Sequence, residues 1–151
     1  MGAVTLERAQ RIALMSIHPR YADAILAGRK AVEFRKQRLA QDIRLVVVYA
    51  TSPISRIVGT FEVDDILVST PDQLWHDYGD VGGIDKADFD AYYAGHRQAV
   101  GIVVRDARRL PEEVALDNIP GDPVPPQSWS YLPSTVLDEL TAGLSVCRAA
   151  S

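Results

Sequence analysis

The sequence predicts an α+β fold: one mixed domain whose strands, interrupted by short helices, form a sheet that closes into a barrel. Three observations predict it. Apolar runs of strand length recur at Ile12–Ile17, Ile43–Ala50, Ile54–Ser69 and Ala99–Arg105. Between them lie short segments with capping residues and apolar stripes at helical spacing. No internal repeat, low-complexity tract or compositional break divides the 151 residues, a length suited to one domain.

Residues 1–10 are a lead-in, residues 11–145 the domain and residues 146–151 a tail. Ile12–Ile17 is the first strand. Pro19 suits the first turn of a helix whose stripe is Tyr21, Ile25 and Leu26, and Gly28 terminates it. Lys30–Lys36 alternates, with Val32 and Phe34 on one face and Glu33 and Arg35 on the other, which predicts a strand with one buried side. Ile43–Ala50 holds the β-branched run of a central strand, and Thr51-Ser52-Pro53 makes a turn. Ile54–Ser69 is a long strand with a bend or bulge at Gly59.

Thr70, Pro71 and Gln73 form a helix start with a capping box; Leu74, Trp75 and Tyr78 face the core and Gly79 ends the helix. Asp85 caps a further helix carrying Phe89, Tyr92 and Tyr93, ended by Gly95. Ala99–Arg105 is another strand. Residues 111–133 hold six of the nine prolines and predict a long irregular segment lying on the domain. Ser134 caps a last helix with Val136, Leu137 and Leu140 apolar and Gly143 at its end.

Composition narrows the function classes. Hydrophobic residues at 47% and charged residues at 24% exclude a disordered chain. No apolar run reaches the ~20 residues of a membrane span, and the N-terminus lacks the apolar stretch of a signal peptide. Met1-Gly2 resembles a myristoylation start, but Leu6 stands where Ser or Thr is needed. The single Cys147 forms no internal disulfide. By elimination the expected location is cytoplasmic, with no membrane partner. A net charge of −4 argues against coating long nucleic acid. Residues 1–44 nevertheless carry nine basic against four acidic groups, and the remainder seven against sixteen. That asymmetry fits a local site for a phosphate-bearing ligand; the plainer alternative is that folding mixes it away.

The stretch Gly28-Arg29-Lys30-Ala31-Val32-Glu33-Phe34-Arg35 carries the strongest chemical signal. Glu33 and Arg35 share a strand face, and Lys30 stands at the strand mouth, where its long side chain reaches either face. Lys30 and Arg35 suit a phosphate grip, with Glu33 accepting from a base or hydroxyl. The same trio suits an acid–base pair beside a lysine of lowered pKa. The plain alternative is a surface Glu33–Arg35 pair of little energetic weight.

These residues resemble the signature of the ASCH domain family, within the PUA-like superfamily. Gly28, Lys30, Glu33 and Arg35 fill its four fixed places. Residues 14–21 (LMSIHPRY) are similar to the family's first strand and helix start, Ala24–Ala27 to its helix, and Val58–Val63 continues the similarity. Residues 125–132 (PPQSWSYL) resemble a closing motif of one subgroup, so the resemblance covers residues 11–133. It implies a PUA-like mixed β-barrel with flanking helices, a cleft lined by the signature, and RNA or a modified nucleoside as ligand. Some members of the family bind RNA, one branch cleaves single-stranded RNA, and another deacylates an acetylated cytidine with a lysine, a threonine and a glutamate. Lys30 matches that lysine, but Glu33 stands where the threonine nucleophile belongs, so that chemistry does not carry over residue by residue.

Further candidates are Arg20 in the first helical turn, where anions are welcome; Tyr49 and Ser52 at the end of the central strand; and Gln127, Ser128 and Tyr131, beside Trp129, for base stacking and edge reading. Each has a structural alternative: a solvated arginine, a core tyrosine, aromatic pins for the proline-rich segment. His18, His76 and His96 lack ligand spacing. Glu62, Asp64 and Asp65 offer carboxylates for a divalent ion, against the plainer reading of solvated acids. No other cofactor is expected. Two functions from different classes follow. The first is a module binding single-stranded RNA or a nucleotide-like small molecule through Arg20, Lys30, Glu33, Arg35, Tyr49, Ser52, Gln127, Ser128 and Tyr131. The second is a hydrolase in the same cleft, a ribonuclease or a nucleoside amidohydrolase, with Lys30 and Glu33 catalytic and Tyr49 or Ser128 assisting. A third, plainer function is a regulatory domain for a small anion.

Overall fold

The computed structural model describes residues 11–140. In chain order these form β1 (Arg11–Ile17), α1 (Pro19–Leu26), β2 (Val32–Arg35), β3 (Leu45–Ala50), β4 (Arg56–Ser69), α2 (Pro71–Tyr78), α3 (Lys86–Tyr93), β5 (Ala99–Val114) and β6 (Trp129–Pro133). Short 3₁₀ turns follow α2 and β5. The lead-in, Gly143, Cys147 and the tail lie outside the described residues. The last predicted helix starts as expected, with helical backbone from Val136 and Leu137 N–H donating to Ser134 O.

Two strands run through the centre of the sheet because both of their faces are apolar. In β1, Ala13, Met15 and Ile17 join one core cluster and Leu14 and Ile12 the other. In β3, Val46, Val48 and Ala50 alternate with Val47 and Tyr49 in the same way. Strands covered on both sides read as continuous apolar runs, as these do. They are parallel neighbours, Ala13 opposite Val46 and Ile17 opposite Ala50. A parallel pair needs a crossover, and α1 with β2 supplies it.

The six strands lie in the order β2-β5-β4-β3-β1-β6. The sheet therefore has two ends, and the expected closure into a barrel is not shown. The ends are joined by side chains instead: Arg35 on β2 donates to Ser16 O of β1 and to Ser128 Oγ beside β6. The register of β4 slips against β3 between Val48 and Tyr49 and against β5 between Ile57 and Gly59, at the predicted bulge.

Three expectations need correction. β2 is buried on both faces, not one. β5 runs to Val114, beyond the predicted end at Arg105; Pro111 concealed this, yet it falls between Arg109 and Val114, where the register slips, and a bulge tolerates the missing N–H. Residues 129–133, predicted as irregular, form edge strand β6 against β1, from Met15↔Trp129 to Arg11↔Pro133. The rest of the proline-rich segment is anchored by Leu116 and Ile119 in the second core cluster.

The helices begin where their caps predict. Thr70 Oγ1 accepts from Gln73 N–H at 3.2 Å, but the Gln73 side chain bonds Asp77 and leaves the capping box half made. Asp85 holds the N-cap position of α3 without a side-chain bond. α2 and α3 cover a third cluster of Val32, Phe34, Leu74, Phe89, Tyr93 and Ala99. Phe89 sits at its centre, with ring centroids 5.0 Å from Phe34, 5.0 Å from Trp75 and 4.8 Å from Tyr93.

Candidate functional site

β2 and the two residues before it bring Lys30, Glu33 and Arg35 to the floor of a cleft of about 540 Å³, walled by Tyr21 of α1 and by Asp88 and Tyr92 of α3. The three charged residues are only 2%, 6% and 8% exposed. Glu33 spends one oxygen on each neighbour. Its Oε1 lies 3.7 Å from Lys30 Nζ, and its Oε2 accepts from Arg35 Nε at 3.0 Å and Nη2 at 2.8 Å. The surface-pair alternative is thereby removed: this is a buried, hydrogen-bonded network, in which losing Glu33 strands two cations.

A turn far along the chain completes the burial of Lys30. Its Nζ donates to Gly82 O, and Val81 O accepts from Ala31 N–H at 2.8 Å. Gly83 has a φ of +62°, and a Cβ there would stand 2.8 Å from Lys30 Cβ. A Cβ on Gly82 would collide with the Phe34 ring. Only glycines allow this turn to lie flat on the lysine. The ammonium also faces the rings of Phe34 at 4.7 Å and Tyr21 at 5.2 Å. Burial pushes the Lys30 pKa below its ordinary value, against the opposing pull of Glu33.

Arg35 fastens three segments at once, through Glu33, Ser16 O at 2.8 Å and Ser128 Oγ at 3.0 Å. Tyr93 supports it from behind, its hydroxyl donating to Arg35 O at 2.7 Å, and burial pushes the Tyr93 pKa up. A second lobe of about 460 Å³ shares Arg35 and Tyr92 with the first and adds Lys36, His96, Gln127, Ser128 and Trp129.

Arg20, Lys30, Glu33, Arg35, Gln127 and Ser128 thus line one lobe or the other. Arg20 is an exposed rim residue over the Tyr21 ring, paired with Asp88 at 3.3 Å. The remaining three candidates do not line the cleft. Tyr49 alternates to the opposite sheet face and is core. Ser52 is exposed in its turn. Tyr131 ties β6 down, its hydroxyl accepting from Ala40 N–H at 3.0 Å and Trp129 Nε1 at 3.1 Å. Glu62 and Asp64 are paired with Arg105, and the described residues contain no group of three or more His, Cys, Asp or Glu suited to a metal ion.

Most ion pairs made by residues 11–44 stay within that segment and so do not offset its basic excess. Arg11 pairs with Asp42, Arg29 with Asp23, and Arg109 crosses from β5 to the same Asp23. Sequence reasoning missed Tyr21, Lys36, His96 and the Gly82-Gly83 turn as parts of the cleft, and gave Tyr92 no role in it. The doubled glycine was the one local signal available, since two in succession mark a turn that needs close approach.

The fold and the cleft together define the class as a small mixed α+β domain with a six-stranded sheet and a buried lysine–glutamate–arginine network beneath a cleft. The ASCH domain profile matches residues 15–110, and the chain belongs to the ASCH domain family. It is similar to an ASCH domain-containing ribonuclease of Zymomonas mobilis, 29% identical over 80% of this chain and 83% of that protein. It also matches the large ribosomal subunit protein uL22 of Ureaplasma parvum, 28% identical over 73% of this chain but only 36% of that protein. The crystal structure of ASCH from Zymomonas mobilis superposes with a TM-score of 0.80 at 26% identity, covering 87% of this chain and 94% of that one.

Proposed function

We propose that the protein is a ribonuclease acting on single-stranded RNA in a cytoplasmic setting, with Lys30 and Glu33 as its acid–base pair. One observation carries the reading: a desolvated lysine of lowered pKa lies 3.7 Å from a carboxylate on the floor of a cleft of nucleotide size. The ribonuclease among its relatives supports the substrate class. In the reaction the 2′-hydroxyl attacks the adjoining phosphorus and the bond from phosphorus to the 5′-oxygen breaks. A base takes the hydroxyl proton, an acid returns one to the leaving oxygen, and the products are a 2′,3′-cyclic phosphate and a 5′-hydroxyl. Lys30 trades its proton across the pair with Glu33, while Arg20 and Arg35 offset phosphate charge. The interior ladder of a barrel, with this cleft at its mouth, is the companion proposal for the fold.

A second reading, a module that holds RNA or a nucleotide without cutting it, is favoured by one feature: the carboxylate of Glu33 is already shared between two cations.

The test is incubation of labelled single-stranded RNA with the protein, with and without divalent metal, beside Lys30→Ala and Glu33→Gln. The expected result is cleavage to cyclic-phosphate ends that falls at least about a hundredfold in both variants, the usual size of an acid–base contribution. Unchanged cleavage in Lys30→Ala removes Lys30 from the chemistry, and intact RNA that is nonetheless bound selects the module.

A further inference from the structure

The second lobe has its own chemistry, and it shares Arg35 and Tyr92 with the first. The first lobe is floored by Lys30 and Glu33 and walled by Tyr21, Phe34 and Ile84. The second is lined by a cation, two amides, a hydroxyl, an imidazole and an indole, from Lys36, Gln37, Gln127, Ser128, His96 and Trp129. At about 540 and 460 Å³, each falls within the roughly 300–1,000 Å³ of ordinary ligand pockets.

The partition between them is built to meet an anion. Arg35 has five N–H donors. Four hydrogen bonds engage them, two to Glu33 Oε2, one to Ser16 O and one to Ser128 Oγ. The remaining donor, on Nη1, has no partner among the described residues. Lys36 holds its ammonium 4.5 Å over the Tyr92 ring at the same partition. A ring face and an indole beside it are stacking surfaces for bases, and the exposed Gln127 amide suits a base edge.

We propose that the cleft is built for two consecutive nucleotides, one in each lobe, with the linking phosphate at Arg35 and Lys36 and the second base against Trp129 and Gln127. The inference rests on the RNA reading above and deepens it: the substrate is a strand, not a single modified nucleoside. A lone nucleotide fills one lobe and forgoes the stacking and amide contacts of the other.

The test is binding of a ribonucleoside monophosphate, and of a dinucleotide and a hexanucleotide with 2′-deoxy linked sugars so that they cannot be cleaved, to the full chain, by calorimetry and tryptophan fluorescence. The expected result is a dinucleotide at least about tenfold tighter than the mononucleotide, the scale of one base stack, with little further gain for the hexamer. The dinucleotide also quenches the emission of Trp129, while packed Trp75 contributes a constant background. Lys36→Ala combined with Gln127→Ala lowers dinucleotide affinity toward that of the mononucleotide. Both side chains are partly or wholly exposed, so folding is preserved. Equal affinity for one and two nucleotides, or a length gain that survives the double variant, overturns the two-lobe inference while leaving RNA binding standing. Failure of all three ligands to bind removes the RNA reading and the inference with it.

Discussion

Removing Glu33 leaves two buried cations facing each other, whereas removing Lys30 leaves a neutral Glu33–Arg35 pair. The two substitutions therefore separate stability from chemistry. Glu33→Ala is expected to cost about 3 kcal/mol, the order seen when one partner of a buried pair is lost. Lys30→Met keeps the volume, forgoes one bond to Gly82 O, and is expected to stay within about 1 kcal/mol of the parent while abolishing cleavage. Urea denaturation checks both. The sign of the pH dependence follows from the lowered Lys30 pKa. Below its folded value both native and unfolded chains carry the proton, and the desolvation cost is felt in full. As pH rises through the folded value the native state sheds that proton first, and stability is regained until the unfolded lysine titrates near its ordinary 10.5. Any advantage of Lys30→Met over the parent is thus expected to shrink as pH rises toward the unfolded lysine's 10.5.

At the scale of elements, the cleft floor depends on a turn that no strand or helix contains. The Gly82-Gly83 turn follows α2 and lies on β2, joined through Ala31 N–H and Lys30 Nζ. Gly83→Ala adds both a collision with Lys30 and a positive φ that L side chains rarely adopt. The expected cost is about 2 kcal/mol, combining left-handed strain with overpacking. The more telling readout is cleavage, expected to fall about tenfold as the turn lifts and water reaches Lys30. Full activity with normal stability in this variant speaks against the turn as the cover of the lysine. The same element logic explains α2: Thr70 and Pro71 start it regardless of the site, and its Leu74 serves the core beneath.

Over the whole molecule, the net charge is −4, and six of the eleven arginines among the described residues are paired with carboxylates. Apart from Lys30, few cations line the cleft itself: Lys36, Arg35 with its spare donor, and the rim group Arg20, which is paired with Asp88. With about two phosphates neutralised, the logarithm of affinity for single-stranded RNA is expected to fall with a slope of about −1.4 against the logarithm of salt concentration. A titration series between low and physiological salt measures it. A steep slope, or affinity that grows steadily with RNA length, would mean an extended basic track outside the cleft. Among the described residues no helix is long and apolar enough to cross a membrane.

By itself the sequence determined what local periodicity and capping control: where β1, α1, β3, α2 and α3 lie, the bulge at Gly59, and the strand that carries Glu33 and Arg35, although it starts at Val32, two residues after Lys30, and not at Lys30 as expected. These features rest on side chains a few positions apart, so neighbouring residues suffice to specify them. Only the tertiary structure decided whether the trio was exposed or buried, because both faces of β2 are covered by segments distant in the chain. It also revealed that the carbonyl of Gly82, 52 residues beyond Lys30, accepts a hydrogen bond from the lysine ammonium, that β5 passes Pro111 through a register slip, and that residues 129–133 become an edge strand. Tyr49 went to the core and Tyr92 to the cleft although both are tyrosines in apolar company, since sheet face and helix packing assign them. A charge network can be read from spacing, but its desolvation cannot, because burial is a property of everything that packs around it.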